Sequence, residues 1–198
     1  MLYTIGRFIM KLFINILGGG IRVINRDRIP EDLDSYVVVC THRTWMDVIA
    51  LGVAMKPTPL HYMAKKELFG TKLTHWLFQS LHAFPVDRAN PGPSSLKIPQ
   101  RLLKEGKVVG GIFPGGTRSS ENSGLKRGGA YVIAKRAGVP IVPAVYQGPI
   151  TLKNLFKRQK IYVNFGEPID LGEYSSKDSE RVLQNIQEAF FALDKELD

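Results

Sequence analysis

His42 and Asp47 are the two side chains of this sequence best placed to move a proton together. They stand in Thr41-His42-Arg43-Thr44-Trp45-Met46-Asp47, directly after the apolar run Tyr36–Cys40. Histidine exchanges protons near neutral pH. A carboxylate that accepts from one ring nitrogen fixes the tautomer and leaves the other nitrogen as a base. On one ideal helix, residues five apart point about 140° away from each other. The pair therefore meets only if His42 lies in a loop and Asp47 in the first turn of the helix that follows. Thr44 supplies that break as an N-cap, with Asp47 at the third helical position. The same spacing has an architectural reading, in which Asp47 completes a capping box with Thr44. Taken alone, this segment favours the architectural reading.

A second segment, Val109-Gly110-Gly111-Ile112-Phe113-Pro114-Gly115-Gly116-Thr117-Arg118-Ser119-Ser120, reads as a strand running into a glycine-rich turn. Backbone N–H groups in such a turn, with the fork of the Arg118 guanidinium, can cradle a phosphate. No Gly-Lys-Ser/Thr follows, so this is not a Walker loop. A third segment is Ala83-Phe84-Pro85-Val86-Asp87-Arg88, preceded by Ala64-Lys65-Lys66-Glu67-Leu68. A solvated loop explains any one of these by itself. Cys40 is the single cysteine, which excludes an internal disulfide and a cysteine-rich metal site and fits a reducing compartment. In an extended strand Cys40 and His42 face the same side, so Cys40 is a rival nucleophile for an acyl-enzyme. Its place at the end of Val37-Val38-Val39 instead predicts a small buried residue. His61, His75 and His82 have no ligand spacing with His42, and no metal is expected.

These segments need a frame to converge. Candidate strands are Ile21–Asn25, Tyr36–Cys40, His61–Ala64, Ala83–Val86, Val108–Phe113, Ile141–Tyr146 and Ile161–Phe165. Candidate helices are Leu2–Leu17, Trp45–Met55, Leu73–Leu81, Ser94–Glu105, Gly129–Ala137 and Asp178–Glu196. The alternation predicts an α/β fold, a single layered domain with a largely parallel central sheet flanked by helices. Val182, Leu183, Ile186, Phe190, Leu193 and Leu197 recur at helical spacing and predict core packing for the last helix. Asn90–Pro93 is a turn, and nothing reads as a domain linker.

The N-terminal segment, residues 1–20, stands apart from a domain spanning 21–198. At 100° per residue, Thr4, Arg7, Lys11 and Asn15 share one narrow face, and Leu2, Ile5, Phe8, Ile9, Leu12, Phe13 and Ile16 fill the opposite one. Gly18-Gly19-Gly20 ends this helix. Two readings follow: the helix caps the core, or it lies in a bilayer interface with Arg7 and Lys11 at the headgroups. The wide apolar arc favours the membrane. No apolar run is long enough for a conventional spanning helix, and Arg7 and Lys11 interrupt any secretory signal.

The formal charge of the 198 residues is +9. From Asp170 onward there are 8 acidic and 3 basic residues, so the first 169 carry +14. Such a body is drawn to an anionic partner: a phospholipid surface, a phosphorylated substrate, an acidic carrier protein or a nucleic acid. Lys153, Lys157, Arg158 and Lys160 alternate with Leu152, Leu155 and Phe156, a pattern that suits a bilayer surface at least as well as nucleic acid.

In order along the chain stand His42-x4-Asp47, Phe84-Pro85-Val86-Asp87-Arg88, Phe113-Pro114-Gly115-Gly116-Thr117-Arg118-Ser119 and Val139-Pro140-Ile141-Val142-Pro143-Ala144. Together they resemble the four ordered blocks of the glycerolipid acyltransferases, most closely the short bacterial PlsC-like 1-acylglycerol-3-phosphate acyltransferases. The likeness spans roughly residues 1–170. It implies that His42 is the catalytic base and Asp47 its orienting acid. It further implies that Arg118, with Gly116 and Thr117, contacts the substrate phosphate. Lys65 and Arg88 match basic positions near the acceptor, with Lys66 a rival for Lys65. The fourth block is assigned no chemistry. One departure stands out: where the family usually has Glu in Phe-Pro-Glu-Gly-Thr-Arg, this chain, like some short relatives, has a small residue, Gly115.

The implied reaction moves a fatty acyl group from a thioester to the sn-2 hydroxyl of 1-acyl-glycerol-3-phosphate, making phosphatidic acid for phospholipid biosynthesis. No cofactor is required. The expected partners are lysophosphatidic acid, an acyl-acyl carrier protein or acyl-coenzyme A donor, and a membrane surface with anionic lipids; no nucleic acid is expected. The expected place is the cytoplasmic face of the cell membrane, as a peripheral or monotopic protein. The rivals are a sibling transferase acting on glycerol-3-phosphate or another lysophospholipid, and a non-catalytic basic protein that binds lipid or nucleic acid.

Overall fold

Seven apolar, β-branched runs form the strands of one sheet in a computed structural model that describes residues 2–55, 57–87, 92–112, 128–175 and 177–197. The strands are β1 (Ile21–Ile24), β2 (Val37–Cys40), β3 (Leu60–Lys65), β4 (Ala83–Val86), β5 (Val108–Ile112), β6 (Ile141–Gln147) and β7 (Ile161–Phe165). Their order is β1-β7-β6-β2-β5-β3-β4. The stretch from β6 to β4 is parallel throughout; β7 meets β6 antiparallel, and β1 lies parallel to β7. The antiparallel step joins two strands that follow one another in the chain, and residues 148–160 between them turn the chain back so that β7 runs against β6.

The helices are α1 (Leu2–Leu17), α2 (Met46–Ala54), α3 (Lys72–Ser80), α4 (Ser94–Lys104), α5 (Gly129–Ala137), α6 (Leu152–Phe156) and α7 (Ser179–Lys195). Strand β2 shows how the sheet is covered on both sides. Tyr36, Val38 and Cys40 enter a cluster with Ile14, Met46 and Leu51 from α1 and α2. Val37 and Val39 enter the opposite cluster with Leu103, Ile133 and Ile186 from α4, α5 and α7. Period-two alternation thus sends one strand into two cores, which is why it reads as an unbroken apolar run.

Helix α6 was not among the expected elements. Five residues are too few to show a period, although Thr151 does cap it, its hydroxyl accepting from the Asn154 N–H at 3.3 Å. Helix α1 packs on the domain with one face and leaves the other exposed. Tyr3 and Ile14 are buried against the domain, while Ile5, Phe8, Ile9, Leu12 and Ile16 stay exposed. The Arg7 guanidinium donates to the Pro57 carbonyl at 3.2 Å and lies over the Tyr3 ring. Lys11 is exposed.

Candidate active site

The loop after β2 carries the His-Asp pair to the carboxyl end of the parallel strands, where ligands of open α/β sheets bind. Helix α2 begins at Met46, so Asp47 is its second residue, and Trp45, not Thr44, occupies the cap position. Asp47 Oδ2 accepts from the backbone N–H groups of Arg43 at 2.8 Å and Thr44 at 2.9 Å. His42 Nδ1 lies 3.1 Å from Oδ1 and 3.2 Å from Oδ2 of the same carboxylate. One side chain therefore both satisfies helix-entry donors and holds the imidazole, so the architectural and chemical readings of Asp47 coincide. The Asp47 side chain is fully buried and that of His42 is 14% exposed. The N-terminal turn of α2 favours the carboxylate charge. With Nδ1–H donated to Asp47, the basic lone pair is on Nε2.

Residues outside the recognised blocks hold this loop. The Thr41 hydroxyl accepts from the Tyr146 N–H at 3.1 Å, and the Thr44 hydroxyl accepts from the Met46 N–H at 3.5 Å while donating to the Ile150 carbonyl at 3.0 Å. The Arg43 guanidinium meets Asp194 of α7 at 2.6 Å. Nothing in the sequence points to Asp194, which lies 151 positions from Arg43.

The other expected site residues divide in two. Lys65 is the exposed last residue of β3, opposite Val86 of β4. Lys66 pairs with Asp87, and that carboxylate raises its ammonium pKa. Strand β5 ends at Ile112, paired with Val39 of β2, the strand that leads into the His42 loop. Arg88, Gly115, Gly116, Thr117 and Arg118 lie outside the described residues. The fourth block builds β6, in register with β2 from Val37–Ile141 to Cys40–Ala144.

Cys40 is 1% exposed, and burial, with the Asp47 carboxylate adding to it, pushes its thiol far above the ordinary cysteine range. A thiol held neutral is a poor nucleophile. Cys40→Ala should accordingly keep its turnover while losing about 1 kcal/mol of stability to the lost packing. Steady-state assay of the folded variant checks this, and a collapse of turnover would restore the acyl-enzyme. His61 and His82 stack at 4.7 Å, and His82 stacks on Tyr3 at 4.6 Å, so these rings pack α1 against the sheet. No group of three or more His, Cys, Asp or Glu side chains is placed to hold a metal ion among the described residues.

Fold and site together define an α/β protein with a hydrogen-bonded His-carboxylate pair at the strand ends. The family model described as Acyltransferase matches residues 20–147, and the chain belongs to the acyltransferase family. It is 49% identical over 182 residues to a Bacillus subtilis protein named 1-acyl-sn-glycerol-3-phosphate acyltransferase, covering 92% of this chain and 90% of that one. A Streptococcus pneumoniae protein of the same name is 39% identical over 199 residues, covering 99% and 74%. The crystal structure of the 1-acyl-sn-glycerophosphate acyltransferase PlsC from Thermotoga maritima superposes with a TM-score of 0.73 at 22% identity, covering 98% of this chain and 78% of that one. That likeness is one of fold.

Proposed function

We propose that this protein is a 1-acyl-sn-glycerol-3-phosphate acyltransferase that makes phosphatidic acid from an acyl thioester. The observation that carries the reading is the 3.1 Å contact between His42 and the buried Asp47, in a chain whose relatives of 49% and 39% identity bear that name. His42 Nε2 takes the proton from the sn-2 hydroxyl as that oxygen attacks the thioester carbonyl. The tetrahedral intermediate collapses by breaking the C–S bond, and the sulfur leaves as a thiolate, a better leaving group than an alkoxide because thiols are the stronger acids. Arg118, Gly116 and Thr117 hold the acceptor phosphate in this reading, with Lys65 and Arg88 beside them. The test is a matrix of acyl carrier protein and coenzyme A donors against lysophosphatidate, glycerol-3-phosphate and lysophosphatidylcholine. Preferred transfer to lysophosphatidate is expected, and preference for either other acceptor replaces this reading with the sibling transferase.

The proposed location is the cytoplasmic face of the cell membrane, by peripheral or monotopic attachment. Among the described residues no helix is long and apolar enough to cross a membrane. The exposed stripe Ile5, Phe8, Ile9, Leu12 and Ile16 supports attachment from one side. Phe13 packs against the core, so the informative variant replaces Phe8, Ile9 and Leu12 with serine. It should leave vesicles in flotation while retaining transfer to a dispersed short-chain acceptor. Undiminished flotation would remove α1 as the anchor.

A further inference from the structure

Helix α6 and its flanks form a small surface that the reaction leaves unused. Leu155 is fully buried, while Phe156 is 59% and Ile150 58% exposed. Lys153, Lys157, Arg158 and Lys160 are all exposed, and the chain has no acidic residue between Gly148 and Gly166. This cationic surface is joined to two others. The Gly19 N–H donates to the Gln159 carbonyl at 3.4 Å, and a Cβ at Gly18 would stand 2.7 Å from Leu155 Cδ1, so the end of α1 lies directly on α6. Exposed Ile16 extends the α1 stripe to that end. On the other side, the Ile150 carbonyl takes the hydrogen bond from Thr44 in the loop that holds His42.

We propose that the segment from Ile150 to Lys160 is a second lipid-contact element, which docks on an anionic leaflet and sets the His42 loop against it. The inference rests on the lipid-acceptor reading above. Lysines near an anionic leaflet each contribute about 1 kcal/mol, within a Debye length of the surface. An acidic carrier protein would answer the same charges. The bilayer is favoured because Phe156 and Ile150 need an apolar partner too, and because the patch continues the apolar stripe of α1. Docked in this way, the lysophospholipid need not leave the leaflet for its hydroxyl to approach His42.

The experiment uses the full chain with vesicles of phosphatidylcholine alone and of phosphatidylcholine with phosphatidylglycerol. The Lys153→Gln/Lys157→Gln/Lys160→Gln variant should bind the anionic vesicles on the order of 100-fold more weakly. Its binding to the neutral vesicles and its transfer to dispersed short-chain acceptor should not change. Phe156→Ser should weaken binding to both kinds of vesicle. Anionic-vesicle binding equal to that of the natural protein overturns the proposal. A raised KM for acyl carrier protein with vesicle binding intact also overturns it, and makes the patch a carrier-protein surface. Failure of the natural protein to acylate dispersed lysophosphatidate would instead strike the proposed function, whatever the vesicles show.

Discussion

His42→Ala lowers turnover by about 10²–10⁴-fold, the usual contribution of a positioned general base, with the fold intact. The fold survives because of how Asp47 is held. Removing the imidazole takes away one partner at 3.1 Å, but Oδ2 keeps the Arg43 and Thr44 N–H groups at 2.8 and 2.9 Å. The loop keeps its other ties through Thr41, Thr44 and Arg43. The buried carboxylate therefore stays bonded, and the cost of an unpaired buried charge does not arise. Loss should fall on kcat with acceptor KM nearly unchanged, because proton removal strengthens only in the transition state. Steady-state kinetics beside thermal unfolding measures both parts. Near-normal turnover in a variant that unfolds like the natural protein would sink His42 as the base.

How much of this was legible in the sequence depended on whether a feature is local. The strands were, since Val37–Cys40 and residues 141–146 are buried on both sides and carry unbroken apolar runs. The His42–Asp47 contact was legible as a spacing, but five residues cannot by themselves separate a capping carboxylate from an orienting one. The structure shows why the choice was ill-posed: one carboxylate does both, its Oδ2 accepting from the Arg43 and Thr44 N–H groups while both oxygens lie within 3.2 Å of His42 Nδ1. The bond from the Thr44 hydroxyl to the Ile150 carbonyl left no trace in the sequence, because its partner is 106 residues away. Asp194 was invisible for the same reason. The bond from Arg7 to the Pro57 carbonyl was likewise out of reach of a helical wheel, which sees only its own helix. Contacts made across the fold, between segments with no shared period, leave no local pattern to read.

Asp47→Asn is the sharper test, since it changes almost no volume. The buried side chain has two jobs with opposite demands on an amide. The Arg43 and Thr44 N–H groups both need an acceptor, so the amide oxygen must take the place of Oδ2. Turning the amide over would set its NH₂ against two donors, at the cost of leaving them unsatisfied. The NH₂ is thereby forced to the side of His42 Nδ1, 3.1 Å away. Being a donor, it requires a lone pair on Nδ1, which moves the ring proton to Nε2 and removes the base from the substrate side. The expected loss is about 10²–10⁴-fold in turnover, comparable to that from the wrong tautomer in serine-protease triads. Stability should change little, because every backbone donor keeps its acceptor. Asp47→Ala should differ in this respect: it strands the buried Thr44 N–H and the part-buried Arg43 N–H and should cost about 2–4 kcal/mol of stability. The double variant His42→Ala/Asp47→Asn should be scarcely slower than His42→Ala alone, as residues acting as one unit do not add. Turnover of all three with thermal unfolding of each decides the matter. An Asp47→Asn protein as active as the natural one would leave Asp47 a helix-entry residue only, and additive losses in the double variant would mean that the two side chains act separately.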